Sequence, residues 1–329
     1  MNFIEVKNVS KTFKVSRRKA GAIGAAANFF VPKFEKKEAV KNISFNIEKG
    51  EAVGFIGPNG AGKSTTVKML SGILHPNSGE INVGGYIPYK QRKAYVGKIG
   101  VVFGQKSQLQ WDLPVIDSFE LLKAIYSVPD DVYRKNLERF TEMLDMSGFI
   151  GQPVRQLSLG QRMRADIVAA LLHSPEIVFF DEPTIGVDVV GKETIRAFIR
   201  ELNGRDNVTM IFTTHDMRDI EKTCRRLIII NEGEKIYDGA LSALREMYGT
   251  TRRLDVAFSE KVDLPSFENV TAENLENNKK RFTFDNNKVQ INELMNHILS
   301  EYNVRDINIS EPDIETIIQN IYTKKGAEI

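Results

Sequence analysis

The run Gly57-Pro58-Asn59-Gly60-Ala61-Gly62-Lys63-Ser64 constrains this chain more than any other feature. It fits the pattern G-x-x-x-x-G-K-[ST], follows an apolar run at 52–56 that reads as a strand, and opens a helical run at 64–74. The order has a physical meaning. Glycines let the backbone curl until its N–H groups face inward and form a nest for an anion. The helix that follows adds the positive end of its dipole. Lys63 can then reach the β- and γ-phosphates, and the Ser64 hydroxyl can ligate Mg²⁺. A glycine-rich turn can join a strand to a helix for purely structural reasons. Lys-Ser in register with all three parts points instead to a nucleoside triphosphate.

The surrounding pattern suits that loop. Short, nearly all-apolar runs at 99–103, 177–180, 208–213 and 227–230 are each separated by helical patterns, which predicts a mostly parallel sheet covered on both faces. The N-terminal part reads as more antiparallel, with strands at 2–9, 43–47 and 80–83. After Tyr248-Gly249-Thr250 the composition turns towards Asn, Glu and Lys. There the pattern predicts strands at 253–258, 280–284 and 306–310, helices at 291–302 and 313–322, and a turn at Asn277-Asn278. Residues 1–249 therefore read as the nucleotide-binding domain and 250–329 as a small accessory α/β domain.

Charge and cysteine usage narrow the classes further. Lys and Arg number 45 against 43 Asp and Glu, a formal net charge of +2, which argues against a protein built to coat nucleic acid. A single cysteine, Cys224, allows no disulfide framework within the chain and fits a reducing compartment. No uncharged run approaches the ~20 apolar residues of a membrane span, and the start of the chain lacks an apolar signal core. If the protein serves transport, another chain supplies the pathway. One segment departs from the overall balance. Between Lys14 and Lys41 stand Arg17, Arg18, Lys19, Lys33, Lys36 and Lys37 against only Glu35 and Glu38. This basic insertion at 14–41 reads either as a contact for an anionic membrane surface or a membrane partner, or as a solvated loop.

Two more constellations bear on phosphate chemistry. The apolar strand at 177–180 runs into Asp181 and Glu182. Asp181 is placed to hold Mg²⁺, and Glu182, one step on, to polarise an attacking water. Between the loop and that strand, Leu157-Ser158-Leu159-Gly160-Gln161 opens a helix running to about residue 173. A hydroxyl and free N–H groups at a helix entrance make a second anion site, although Ser158 alone would read as an ordinary N-cap.

Together these motifs resemble the nucleotide-binding domains of ABC ATPases over residues 1 to about 245. The phosphate loop looks like their Walker A, Leu157–Gln161 like their signature, Phe180-Asp181-Glu182-Pro183-Thr184 like their Walker B, and Gly186-Val187-Asp188 like their D-loop. Thr213-Thr214-His215-Asp216 resembles the switch histidine, Gln105 the Q-loop glutamine, and Phe13 the aromatic that stacks on adenine. Two departures stand out: Leu159 replaces the first signature glycine, and Val187 the usual leucine.

The resemblance implies an α/β P-loop NTPase fold with an antiparallel β subdomain and a helical subdomain, plus the C-terminal α/β domain. It implies an ATPase that takes ATP and Mg²⁺. Phe13, Gly57, Pro58, Asn59, Gly60, Ala61, Gly62, Lys63, Ser64 and Thr65 would bind nucleotide in cis. Ser64, Gln105 and Asp181 would hold Mg²⁺, and Glu182, His215, Gln105 and Lys63 would serve catalysis. Ser158, Gly160, Gln161 and Asp188 complete the set, with Ser158 and Gly160 acting in trans. A single phosphate loop then requires a second ATPase chain, the same or different, paired head to tail. The wording around 105–127, the basic arm and the tail from Glu311 resemble ATPase subunits of exporters with a six-span integral-membrane permease. That implies a peripheral protein at the cytoplasmic face of the cell membrane. Trp111 with Leu113 and Pro114 offers either a handle for the permease or a core element of the helical subdomain. Rival readings are a soluble ABC protein acting on ribosomes or nucleic acid, and a regulatory dimer merely clamped by ATP. The first usually carries two ATPase domains or a long heptad insertion, neither of which is present. Glu182 and His215 argue against the second.

Overall fold

The computed structural model describes residues 2–16, 34–104, 106–249, 251–263, 266–311 and 313–326. They divide into two compact units, residues 1–239 and 240–329. This break falls ahead of the compositional shift at Gly249, because the helix before that glycine belongs to the second unit.

In chain order the first unit contains β1 (Asn2–Ser16), β2 (Phe34–Glu48), β3 (Ala52–Ile56), α1 (Lys63–Leu70), β4 (Ser78–Val83), α2 (Arg92–Val96) and β5 (Ile99–Phe103). It continues with α3 (Val115–Tyr126), α4 (Asp130–Met143), a 3₁₀ turn (Val154–Gln156), α5 (Leu159–Leu171), β6 (Ile177–Asp181) and α6 (Val189–Asp206). β7 (Thr209–Thr213), α7 (Met217–Thr223), β8 (Arg226–Asn231) and β9 (Glu234–Ala240) follow.

Six strands form a sheet in the order β5-β6-β7-β3-β8-β9, parallel between β5 and β8. β3, β7 and the first four residues of β6 are buried throughout, as expected of strands covered on both faces. A separate antiparallel sheet, β2-β1-β4, lies at the N-terminal end. Phe45 from that sheet meets Phe55 of β3 with ring centroids 5.7 Å apart, so one apolar core joins the two sheets. The helical subdomain, α3 to α5, buries Phe119, Phe140, Leu144, Met146 and Met163.

The antiparallel sheet corrects one expectation. β1 does not stop near residue 9. It continues to Ser16 and pairs with β2 in the register Lys11↔Val40, Phe13↔Lys37 and Ser16↔Phe34. Residues 14–16 and 34–41 of the basic insertion are therefore strand, not loop. Period-two spacing of Val9, Lys11, Phe13 and Val15 carried that signal, but the lysines obscured it. The rest of the insertion, 17–33, lies outside the described residues.

The second unit contains α8 (Leu241–Tyr248), β10 (Thr251–Phe258), β11 (Val270–Asn274), β12 (Lys279–Asp285), α9 (Ile291–Glu301), β13 (Val304–Ser310) and α10 (Ile314–Gly326). Its antiparallel sheet runs β11-β12-β10-β13. One face buries Leu254, Val256, Phe258, Phe282 and Phe284 against Leu294 and Ile298 of α9. The other face is polar, and Arg281 grips Asp255 across the strands with two bonds, at 2.7 and 2.8 Å. β11 was not legible in the sequence: an edge strand of sequence VTAEN, paired only to β12, has little apolar pattern.

Phe179, midway along β6 between Val101 of β5 and Ile211 of β7, has no exposed surface. Phe179→Ala should lower the unfolding free energy by about 3–5 kcal/mol, read from urea denaturation of the chain. A loss below about 1 kcal/mol would mean that the centre of the sheet is not packed as described.

Candidate functional site

Backbone register builds the site. In a parallel sheet, ligands gather beyond the carboxyl ends of the strands, and here the register Phe103↔Asp181↔Thr213 makes the ends of β5, β6 and β7 level. Thr213 Oγ1 donates to Asp181 Oδ1 at 2.6 Å, and Ser64 Oγ, from the first turn of α1, donates to the same oxygen at 3.3 Å. The backbone continues the stitching: Gly104 N donates to the Asp181 carbonyl (2.8 Å) and Glu182 N to the Thr213 carbonyl (3.0 Å).

The phosphate loop between β3 and α1 is held tightly. Gly62 has φ +108°, and a Cβ there would lie 2.4 Å from the Ala39 carbonyl oxygen, so no other residue fits. Lys63 is buried, and its Nζ donates to the loop carbonyls of Gly57 (2.6 Å) and Pro58 (3.2 Å). Burial lowers its pKa, and the carboxylates of Glu182 and Asp181 pull in the opposite direction. Two clefts flank the loop. One, of about 410 Å³, places Phe13 with Asn59, Gly60, Lys63, Ser64, Thr65 and Glu182. The other, of about 380 Å³, joins Ser64, Asp181 and Glu182 to Phe103, Gly104 and Lys106. Gln105 lies outside the described residues, but its two neighbours line this second cleft.

Glu182 faces both clefts from a left-handed backbone conformation, φ +57°, uncommon for a residue with a side chain. His215 Nδ1 is 3.7 Å from Glu182 Oε1, and its side chain is 64% exposed. Asp219 braces the segments carrying the pair. Fully buried, it accepts from Thr184 Oγ1 (2.5 Å), Thr214 Oγ1 (3.0 Å) and Arg196 Nε (2.6 Å). It therefore ties the stretch after Glu182 to the stretch carrying His215. Sequence reasoning missed Asp219, since a helix carboxylate normally faces solvent and nothing local marks this one.

The signature stretch is built differently. Ser158 caps α5: its Oγ accepts from Gln161 N (3.2 Å), and Gln161 Oε1 accepts from Ser158 N (2.9 Å). Leu159 leans on Gly186, where φ is +67° and a Cβ would fall 2.2 Å from Leu159 Cδ2. Asp188 caps α6 through Gly191 N at 2.7 Å. The signature start and residues 186–188 thus lie side by side in one chain. Neither of the two clefts at the phosphate loop is lined by Ser158, Gly160, Gln161 or Asp188.

A second residue escaped the sequence reading. Asp166, on α5 and 5% exposed, accepts from Ser107 Oγ (2.9 Å) and Gln108 N (3.0 Å). Burial pushes its carboxyl up to about 6, against the pull of those two bonds and of Arg162.

Hard oxygen donors, Ser64 Oγ and Asp181, meet beside the phosphate nest and suit Mg²⁺. Among the described residues no group of three or more His, Cys, Asp or Glu side chains could hold a metal alone. A divalent ion here therefore needs phosphate oxygens or water as further ligands.

Known proteins match this arrangement. Residues 40–185 fit the family model described as ABC transporter. The ABC transporter ATP-binding protein NatA of Bacillus subtilis is 35% identical over 66% of this chain and 88% of its own length. The linearmycin resistance ATP-binding protein LnrL of the same organism is 31% identical over 88% of this chain and 94% of its own. Among solved structures, a dimeric ATP-binding cassette in a post-hydrolysis state with ADP and phosphate superposes with a TM-score of 0.61 at 29% identity. It covers 72% of this chain and 98% of the cassette.

The raised carboxyl of Asp166 has a measurable consequence. A folded state that holds the proton up to about pH 6, against 3.8 for the free group, gains stability in acid. That gain is lost progressively as pH rises from about 4 through 6. Relative to Asp166→Asn, the native chain should therefore lose on the order of 3 kcal/mol between pH 4 and pH 7. Denaturation midpoints across that range test this; a difference flat with pH would contradict it.

Proposed function

This chain belongs to the ABC transporter family as an ATP-binding, ATP-hydrolysing subunit, and we propose that it energises export through a separate six-span permease, paired head to tail with a second ATPase subunit. The observation that carries the reading is a division of labour. Lys63, Ser64, Asp181, Glu182 and His215 converge around one phosphate loop, while Ser158 caps its helix away from both clefts there. A signature placed so is free to serve a nucleotide held by another subunit, homodimeric or heterodimeric.

In that pair the adenine stacks on Phe13, the loop N–H groups between Asn59 and Thr65 hold the phosphates, and Lys63 engages their outer oxygens. Ser64 and Asp181, with Gln105, would hold Mg²⁺, which when bound neutralises charge on the phosphate oxygens. Glu182 accepts the proton of the attacking water, and His215 keeps its carboxylate and the γ-phosphate in line. In trans, Ser158, Gly160 and Gln161 offer the positive end of α5 to that phosphate, and Asp188 closes the seam beside it. Phosphate release then weakens the pair.

Several observations support the membrane side. Trp111 is 54% and Leu113 41% exposed on the segment after position 105, which favours a partner surface over a place in the subdomain core. Among the described residues no helix is long and apolar enough to cross a membrane, which fits a peripheral subunit at the cytoplasmic face. The relative LnrL matches most of this chain, both units included, and its name ascribes resistance to linearmycin, which supports export. Lys14, Lys36 and Lys37 on the hairpin stem fit contact with an anionic surface.

Glu182→Gln should cut ATP turnover by about 10²–10⁴-fold while leaving ATP binding and pairing intact; a variant with unchanged turnover would remove Glu182 from its role. Lys63→Ala should weaken ATP binding itself, measured by titration calorimetry, and an unchanged affinity would count against the phosphate-loop assignment. Pull-down of the chain from detergent-solubilised membranes should recover an integral-membrane partner. Recovery of ribosomes instead would sink the transport reading.

A further inference from the structure

Asp166 stands one helical turn beyond Arg162 on α5, the helix whose first residues are the signature. Both reach the same short segment, 107–111. Asp166 Oδ1 accepts Ser107 Oγ (2.9 Å) and Gln108 N (3.0 Å), and Gln108 Nε2 returns to the Asp166 carbonyl at 3.3 Å. Arg162 stacks its guanidinium over the Trp111 ring, 5.7 Å from the centroid. Ser107 Oγ also receives Leu109 N (3.1 Å), and Gln110 N donates to Ser118 Oγ on α3 (3.1 Å). Trp111 thus ends a strap that is bonded throughout to α5 and α3, while its own ring stays largely exposed.

We propose that Asp166 is a positioning residue that locks segment 107–111 to the signature helix, making the exposed Trp111 surface and the Ser158 cap parts of one rigid body. One fact favours this over a plain loop anchor: Asp166 and Arg162, one turn apart on α5, hold the two ends of the segment, and both donors at its first end, Ser107 Oγ and Gln108 N, fall on a single Asp166 oxygen. Displacing Trp111 then has to tilt α5, and tilting α5 moves the helix end offered to the γ-phosphate across the pair. Without the tie, each subunit still holds its own nucleotide, but the signature meets the neighbouring phosphate out of line.

This inference rests on the head-to-tail reading, so the test separates the two. The full chain, in a Glu182→Gln background that retains ATP, is titrated for ATP affinity at low protein concentration. Its ATP-dependent pairing is followed by sedimentation. Asp166→Ala should weaken pairing about tenfold, the equivalent of one hydrogen bond, with ATP affinity changed less than about twofold. Asp166→Asn, which keeps the accepting oxygen, should restore pairing. The proposal is overturned if Asp166→Ala pairs normally, if Asn is as damaging as Ala, or if ATP affinity falls in parallel with pairing. Ser158→Arg in the same assay reports on the reading beneath. If it pairs normally the head-to-tail arrangement fails, whereas if it alone blocks pairing only the tie fails.

Discussion

The level carboxyl ends of β5, β6 and β7 are the constraint on which the site depends. Because Phe103, Asp181 and Thr213 are register partners, the carboxylate of Asp181 has a hydroxyl from the next strand at 2.6 Å and the Ser64 hydroxyl at 3.3 Å. A slip of one residue in β6 would turn Asp181 to the other face of the sheet and separate the acid from the phosphate loop. The buried parallel sheet is thus more than a scaffold. Its hydrogen-bond ladder sets the distances at which phosphate chemistry operates.

Around that edge, buried carboxylates act as joints between motifs distant in sequence. Asp219 binds the stretch behind Glu182 to the stretch carrying His215, and its charge is compensated by Arg196 and two threonine hydroxyls. Asp166 does the same between α5 and the segment after position 105. A buried ion pair is a poor source of net stability, because desolvation offsets most of its attraction, but breaking one leaves an unpaired charge. Such joints favour one arrangement of the motifs over all others, which is what a site assembled from five separate segments requires. Leu159 fits the same logic. In place of a signature glycine it fills the space over Gly186 and so seats the signature start on the 186–188 turn.

The C-terminal unit is organised by a simpler rule. Alternation along β10 and β12 sends Leu254, Val256, Phe282 and Phe284 to one face and Arg253, Asp255 and Arg281 to the other. The apolar face is covered by a helix, and the polar face is crossed by the Arg281–Asp255 fork. The described residues that line the two clefts at the phosphate loop belong to the first unit, in keeping with a sequence that carries no phosphate-binding pattern after Gly249.

The sequence by itself determined the chemistry that local spacing encodes. The glycines and Lys-Ser of the phosphate loop, the apolar strand running into Asp181-Glu182, and the N-cap Ser158 act through their immediate neighbours, and so are legible in a linear pattern. Most strands of the parallel sheet were legible for the same reason, since burial on both faces leaves an unbroken apolar run. Tertiary structure alone decided what depends on partners far along the chain. It continued β1 and β2 into a hairpin stem, because strand pairing outweighs the polar look of the lysines there. It selected β11 through its ladder with β12, and buried Asp166 and Asp219 where helices meet motif segments. Long-range pairing and desolvation are properties of the folded neighbourhood, and no window of sequence contains them.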